Sequence, residues 1–294
     1  MPIMWFPVMN MWYEGWETAM MRIAVSTMFF HEYPLGEGFD AIGEAGLDGI
    51  EFWVETPHFW LYGHPVGELR ARIGEHPGFA PVNVHAPILD LNPCSVNPRV
   101  AQASLSYAAE AFELAERIGA DVVTVHPGRR TAKRPPGAPE YERFERFLDL
   151  LREKTCTPGS RVRISMENME RGVNALLSRP EEVRELLDRE PWLSFTLDVS
   201  HAMAHSVEEV TRFIDLCGDR LANIHLSRSE GGRTHLPVAG SPRAAAVLRA
   251  LVHAGYSGPL TLEIEDRNFY HDLSLEEKVS LLAREAAFIR SETG

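Results

Sequence analysis

From Arg22 onward the chain alternates short apolar runs with longer stretches in which apolar residues recur at i, i+3, i+4 and i+7. The short runs are "RIAVST" from Arg22, "GIEFWV" from Gly49, "PVNVHA" from Pro81, "DVVTVHPG" from Asp121, "RVRISMEN" from Arg161, "LSFTLDVS" from Leu193, "LANIHLS" from Leu221 and "PLTLEIED" from Pro259. Helical patterns separate them, and several close on a glycine such as Gly119, Gly218 or Gly255, which predicts left-handed C-caps. Eight strand and helix pairs over about 250 residues predict an α/β fold, a single (β/α)8 TIM barrel spanning residues 21–294. A doubly wound sheet usually carries a glycine-rich phosphate loop after its first strand, and "STMFFHEYPLGEGFD" contains no GxGxxG. The opening 20 residues lack a basic region and a small-residue cleavage site, so they are expected to be a poorly ordered leader or to reflect an upstream start. The Arg- and Pro-rich "HPGRRTAKRPPGAPEYE" reads as a long loop over the barrel mouth.

Side chains alternate along a strand, so parity sorts each run into two faces. Val82 and Val84 oppose Asn83 and His85, while Val123 and Val125 oppose Thr124 and His126. The fifth run sets Ile164 and Met166 against Ser165 and Glu167, and the sixth sets Phe195 and Leu197 against Thr196 and Asp198. In the last two, Asn223 and His225 share a face, as do Thr261 and Glu263. Six consecutive strands thus deliver His85, His126, Glu167, Asp198, His225 and Glu263 to one face at the C-terminal end, where such barrels place their chemistry. One such residue alone reads as a loop anchor. Six in register read as ligands, because carboxylates and imidazoles packed together are costly without a cation. Carboxylates with imidazoles and no thiolate suit Zn²⁺, Mn²⁺, Co²⁺ or Fe²⁺, one or two ions per chain, with no organic cofactor.

The formal charge of −13 counts against nucleic acid as a partner. Cys94, Cys156 and Cys217 are odd in number and lie in no CxxC pattern, which favours a reducing cytoplasm over a disulfide framework. No run approaches the roughly 20 apolar residues that span a bilayer.

Over Arg22 to Arg290 the motifs "VHAP", "VVTVHPG", "ISMENM", "TLDVSH", "IHLS", "THLPVAGSP" and "LTLEIE" resemble the xylose isomerase-like TIM barrels, which include sugar isomerases, sugar epimerases and endonuclease IV. The resemblance to the epimerases implies one metal held by Glu167, Asp198, His225 and Glu263, with Glu167 and Glu263 exchanging a proton with substrate. The resemblance to endonuclease IV implies a second metal on His85 and His126, bridged by Glu167. A third metal there would use His201 and His235, but Arg233 stands where that enzyme has an aspartate.

Two activities fit these residues. The first is isomerisation or epimerisation of a small sugar, sugar phosphate or related hydroxy-carbonyl compound, by proton transfer through an enediolate that a bound cation stabilises; His201, Arg233 and His235 would then bind substrate. The second is metal-dependent phosphodiester hydrolysis of the apurinic/apyrimidinic endonuclease type. Arg129, Arg130, Arg171, Arg228, Arg233 and Arg267 follow strand ends and point to an anionic small molecule. Trp53, Phe59 and Trp60 are candidates for a pocket wall or for ordinary packing. Relatives are often dimers or tetramers, which leaves a homo-oligomer open.

Overall fold

A computed structural model describes residues 21–155 and 159–294. The leader and Cys156 lie outside the described residues. Eight parallel strands close into a barrel: β1 (Ile23–Ser26), β2 (Gly49–Trp53), β3 (Val82–His85), β4 (Val122–Val125), β5 (Arg163–Glu167), β6 (Ser194–Asp198), β7 (Leu221–Leu226) and β10 (Leu260–Leu262). β1 closes the ring against β10 on one side and β2 on the other. The eight predicted runs are these eight strands.

Helices follow the strands and cover the outside: α1 (Leu35–Glu44), α2 (Pro57–Leu61), α3 (Val66–Glu75), α4 (Pro98–Ile118), α5 (Ala138–Thr155), α6 (Pro180–Arg189), α7 (Val199–Met203), α8 (Val207–Cys217), α9 (Pro242–His253) and α10 (Leu275–Thr293). Local chemistry starts them where the pattern does. Asn97, Ser206, Ser241 and Ser274 accept hydrogen bonds from first-turn amides, and Pro98, Pro180 and Pro242 occupy first positions, where no N–H is needed. Gly119 ends α4 in the left-handed region, and Gly255, at φ 72°, follows α9. Gly218 departs from the expectation. Its φ is −58°, because α8 runs straight into a 3-10 turn at Gly218–Arg220 that delivers Leu221 to β7.

The loop after β7 folds into a hairpin that the apolar pattern did not announce, β8 (Arg228–Glu230) and β9 (Arg233–Leu236). Strands of three and four residues are too short to show a period. Their two-residue turn, Gly231 and Gly232, has φ of 59° and 78°, the primed-turn geometry that glycine permits.

Outward side chains of the barrel are apolar and pack on the helices, as where Phe195 stacks on Phe213 and Phe52 meets Phe59 edge-on. The lumen is polar instead. Thr196 donates to Ser165 at 2.7 Å and lies 3.1 Å from Thr124, while Asn223 donates to Glu51 at 2.6 Å and accepts from Thr261 at 2.9 Å. These groups have essentially no solvent access, so their partners must be one another.

At Gly49 a Cβ would sit 2.2 Å from the Pro81 carbonyl oxygen, so β2 and β3 approach too closely there for any side chain. Gly74, in α3, has open space where its Cβ would be. Gly49→Ala is therefore expected to destabilise the fold by at least about 1–3 kcal/mol through overpacking. Gly74→Ala should stabilise it by about 0.5–1 kcal/mol through helix propensity. Thermal unfolding of the two variants checks this: the midpoints should move in opposite directions.

Candidate metal centre

The centre forms because parallel strands in register end at one height. Asp198 pairs with His225, and Thr261, two residues before Glu263, pairs with the same histidine. Glu167 ends β5 with almost no exposure and stands in the middle. Its Oε2 lies 3.1 Å from His126 Nε2, 3.5 Å from His85 Nε2 and 3.4 Å from His225 Nδ1; its Oε1 lies 3.3 Å from His201 Nδ1. On the far side, Glu263 Oε2 is 3.1 Å from His225 Nδ1 and 3.7 Å from His235 Nδ1.

Four groups of ligand atoms therefore meet here: Glu167, Asp198, His225 and Glu263; His85, His126 and Glu167; Asp198, His201 and His235; and Glu51, His85 and His225, each with its atoms within 4.8 Å of one another. The chemistry of these donors fits a divalent cation. Glu167 Oε2, Asp198 Oδ2, Glu263 Oε2, His85 Nε2 and His225 Nδ1 are buried and lack a hydrogen-bond partner. A native interior leaves few such atoms without a reason. The remaining valences of two of these residues are taken: Asp198 Oδ1 accepts from the His201 amide at 2.6 Å and caps α7, and His85 Nδ1 lies 2.8 Å from the Ala86 carbonyl. A histidine that donates one nitrogen to a carbonyl presents the other as a ligand.

Electrostatics agree. Burial pulls the His85 imidazole down, but Glu167, Glu51 and Glu263 overcome it and raise its pKa to about 9. The same contest raises His201 to about 10, chiefly through Asp198 and Glu167, and raises His225 well above its ordinary value through Glu263, Glu51 and Glu167. Burial would raise Glu167 and Glu263, yet the surrounding imidazoles hold both well below the usual carboxylate range. Burial dominates at Asp198, pushed up to about 6, and at His126, whose pKa is lowered. Without a metal, the cluster draws protons onto its histidines to balance its carboxylates.

Asn168, which follows β5, was not singled out from the sequence although it lies in "ISMENM". Its amide accepts from the Asp198 N–H at 2.8 Å and donates to the Asp198 carbonyl at 3.0 Å, and its own carbonyl meets His201 Nδ1 at 3.0 Å. It fixes the β6 end against β5. His235 takes φ of 57°, its amide donates to Ser200 Oγ at 2.9 Å, and its ring faces His201 with centroids 5.3 Å apart. Arg233 is not brought to this group: it is exposed at the start of β9.

With this geometry in place, comparison with known proteins decides the family. The xylose isomerase-like TIM barrel profile matches residues 39–292. The chain belongs to the xylose isomerase-like TIM barrel family. An uncharacterised protein of Methanocaldococcus jannaschii is 32% identical over 275 residues, covering 92% of this chain and 99% of that protein. The 2-oxo-tetronate isomerase of Haemophilus influenzae is 26% identical over 253 residues, 82% of this chain and 92% of that enzyme. Among solved structures, an L-ribulose 3-epimerase superposes with a TM-score of 0.71 at 19% identity over 93% of this chain and 95% of the epimerase. Endonuclease IV of Thermus thermophilus gives 0.66 at 21% identity, over 92% and 99% respectively.

In this xylose isomerase-like barrel the cluster floors a cavity of about 430 Å³, whose lining includes Glu167, Glu263, His126, His201, His235 and Arg129. Asn92 clasps the loop after β4: its Oδ1 accepts from the Arg129 N–H at 3.0 Å, and its Nδ2 donates to the Arg129 carbonyl at 2.8 Å. Asn174 holds the next residue: its backbone carbonyl accepts from the Arg130 N–H at 3.0 Å, and its Nδ2 donates to the Arg130 carbonyl at 2.8 Å. Gly128 is required there, since at φ 83° its Cβ would fall 2.7 Å from Asn92 Oδ1. Of the six arginines after strand ends, Arg129 and Arg267 line the cavity. Arg130 donates to the Pro135 carbonyl, Arg171 pairs with Glu209, Arg228 pairs with Glu230, and Arg267 itself pairs with Glu265. Trp53, Phe59 and Trp60 do not wall the cavity. α2 turns Phe59 onto Phe52 and Trp60 onto Tyr107, on the outside of the barrel.

Two outcomes follow. His225→Ala and Glu167→Gln should each lower the metal bound per chain, read by elemental analysis, and an unchanged stoichiometry would refute the ligand set. His85, His201 and His225 hold protons at neutral pH in the metal-free chain, since their pKa values are raised, and metal must displace them. Apparent affinity should thus climb as pH rises from 7 toward 9 and fall below 7. Calorimetry in buffers of differing protonation enthalpy should register net proton release on binding.

Proposed function

We propose that the protein is a divalent-metal-dependent isomerase or epimerase of a small hydroxy-carbonyl compound that carries an anionic group. The carrying observation is that two buried, ionised carboxylates, Glu167 and Glu263, converge on one imidazole nitrogen of His225 at the floor of a cavity. Glu167, Asp198, His225 and Glu263 would hold the ion, of the Zn²⁺, Mn²⁺, Co²⁺ or Fe²⁺ class. When bound, it supplies Lewis-acid polarisation of a carbonyl and its neighbouring hydroxyl.

The chain's own groups supply the rest. Glu167 and Glu263 are held ionised, so either can accept the proton on the carbon beside a carbonyl and, once protonated by that transfer, return it to the substrate. His201 and His235, facing each other across the rim, offer hydrogen bonds to substrate hydroxyls. Arg129 is clasped through its backbone by Asn92 and lines the cavity, which suits it to meet a carboxylate or phosphate. A carboxylate accords with the 2-oxo-tetronate isomerase relative. A cytoplasmic setting suits the buried free thiols of Cys94 and Cys217.

One observation favours a second reading, phosphodiester hydrolysis: His85, His126 and Glu167 form a further ligand group, as two-metal hydrolysis needs. The formal charge of −13 and Arg233, an exposed arginine where endonuclease IV has an aspartate, weigh against it. The purified metal-loaded protein is to be assayed on 2-oxo acids, ketoses and their phosphates, and on a plasmid bearing abasic sites. Turnover of a small hydroxy-carbonyl compound is expected, with no plasmid cleavage; robust cleavage would reverse the assignment. Glu263→Gln should lower kcat by about 10²–10⁴-fold. Arg129→Ala should raise KM for an anionic substrate by about 10-fold or more while sparing a neutral ketose.

A further inference from the structure

Glu51, on β2, has no solvent exposure. It meets the ring nitrogen of His225 that Glu167 and Glu263 do not approach, and its carboxylate also lies close enough to His85 to form a further group of ligand atoms with the two histidines. Glu51 Oε1 is 2.8 Å from His225 Nε2, whereas Glu263 and Glu167 approach His225 Nδ1 at 3.1 and 3.4 Å. These distances separate two roles. Two ligands on one tetrahedral ion, each at about 2.0–2.1 Å, lie roughly 3.3 Å apart. The Nδ1 side shows that spacing. A separation of 2.8 Å is that of a charge-assisted hydrogen bond. Both atoms are buried and neither has another hydrogen-bond partner, so each is left to the other.

A neutral imidazole has one donor nitrogen and one acceptor nitrogen, and a carboxylate can only accept. A carboxylate at Nε2 therefore fixes the proton there and leaves the Nδ1 lone pair facing Glu167 and Glu263. We propose that Glu51 is the positioning residue of the metal centre, holding His225 in the tautomer and orientation that make Nδ1 a ligand. Glu51 is itself braced: its Oε2 accepts from Asn223 at 2.6 Å, and Asn223 accepts from Thr261 at 2.9 Å. Thr261 is the register partner of His225, so the brace and the ligand share the β7–β10 pair. The chain of contacts crosses the lumen and ties β2 to the metal side of the barrel.

This rests on the metal reading above, and the test separates the two. Wild type, Glu51→Gln, Asn223→Ala and His225→Ala are titrated with Mn²⁺ and Zn²⁺ by chelator competition, and the unfolding midpoint of each metal-free protein is recorded. Glu51→Gln is expected to weaken metal binding by about 10–100-fold at unchanged stoichiometry, with a metal-free midpoint no lower than wild type. Asn223→Ala, which frees Glu51 without touching His225, should weaken binding in the same direction and by less, which keeps the proposal testable if the buried glutamine prevents folding. Affinities within twofold of wild type in both, with binding lost in His225→Ala, would overturn the role of Glu51 alone. Loss of one metal equivalent at unaltered affinity for the rest would make Glu51 a ligand and overturn it too. Wild-type binding in His225→Ala would overturn the ligand set and this proposal together.

Discussion

The constraint on which the site depends is the charge of Glu167, a carboxylate sealed from solvent and within 3.5 Å of nitrogens from four histidines, His85, His126, His201 and His225. A buried anion is tolerable only if something positive answers it. Protons on the imidazoles can do so, and a divalent cation does so more completely while satisfying the carboxylate and imidazole atoms that otherwise lack partners. The rest of the mouth reads as a response to this charge.

The barrel makes such a cluster tolerable by spreading its support over many strands. Hydroxyls and amides fill the lumen beneath the cluster and satisfy one another across it, so strand ends are pinned by directional bonds in addition to apolar packing. Asn168 locks β5 to β6 at the level of Asp198. Above the cluster, Asn92 and Asn174 clasp the loop after β4. Ligand groups on rigid strands and a cavity rim held by loop clasps give a preorganised site.

At the opposite seam, Lys278 of α10 is fully buried, bonded to the Phe29 carbonyl and paired with Glu32, with its ammonium 4.7 Å from the centre of the Phe29 ring. It joins the last helix to the loop after β1 where the barrel closes. The cation–π contact and the ion pair together compensate a charge that burial alone would disfavour.

The amino-acid sequence by itself determined the eight strands and the single barrel, and it placed His85, His126, Glu167, Asp198, His225 and Glu263 together at one end, because a period of two reads directly as a face and parallel register carries that face to one end. Glu51 obeys the same parity with Gly49 and Trp53 and was legible in principle; so short a strand gave no sign of a link to His225, 174 positions away. Tertiary structure alone decided that Arg129 and Arg267 border the cavity, that Arg233 is exposed on a hairpin, that Phe59 and Trp60 pack on Phe52 and Tyr107, and that Asn92 and Asn168 hold the site together. Those outcomes depend on loop paths and on contacts between distant segments. No local periodicity encodes them, since a loop residue's direction is set by what it meets across the barrel mouth.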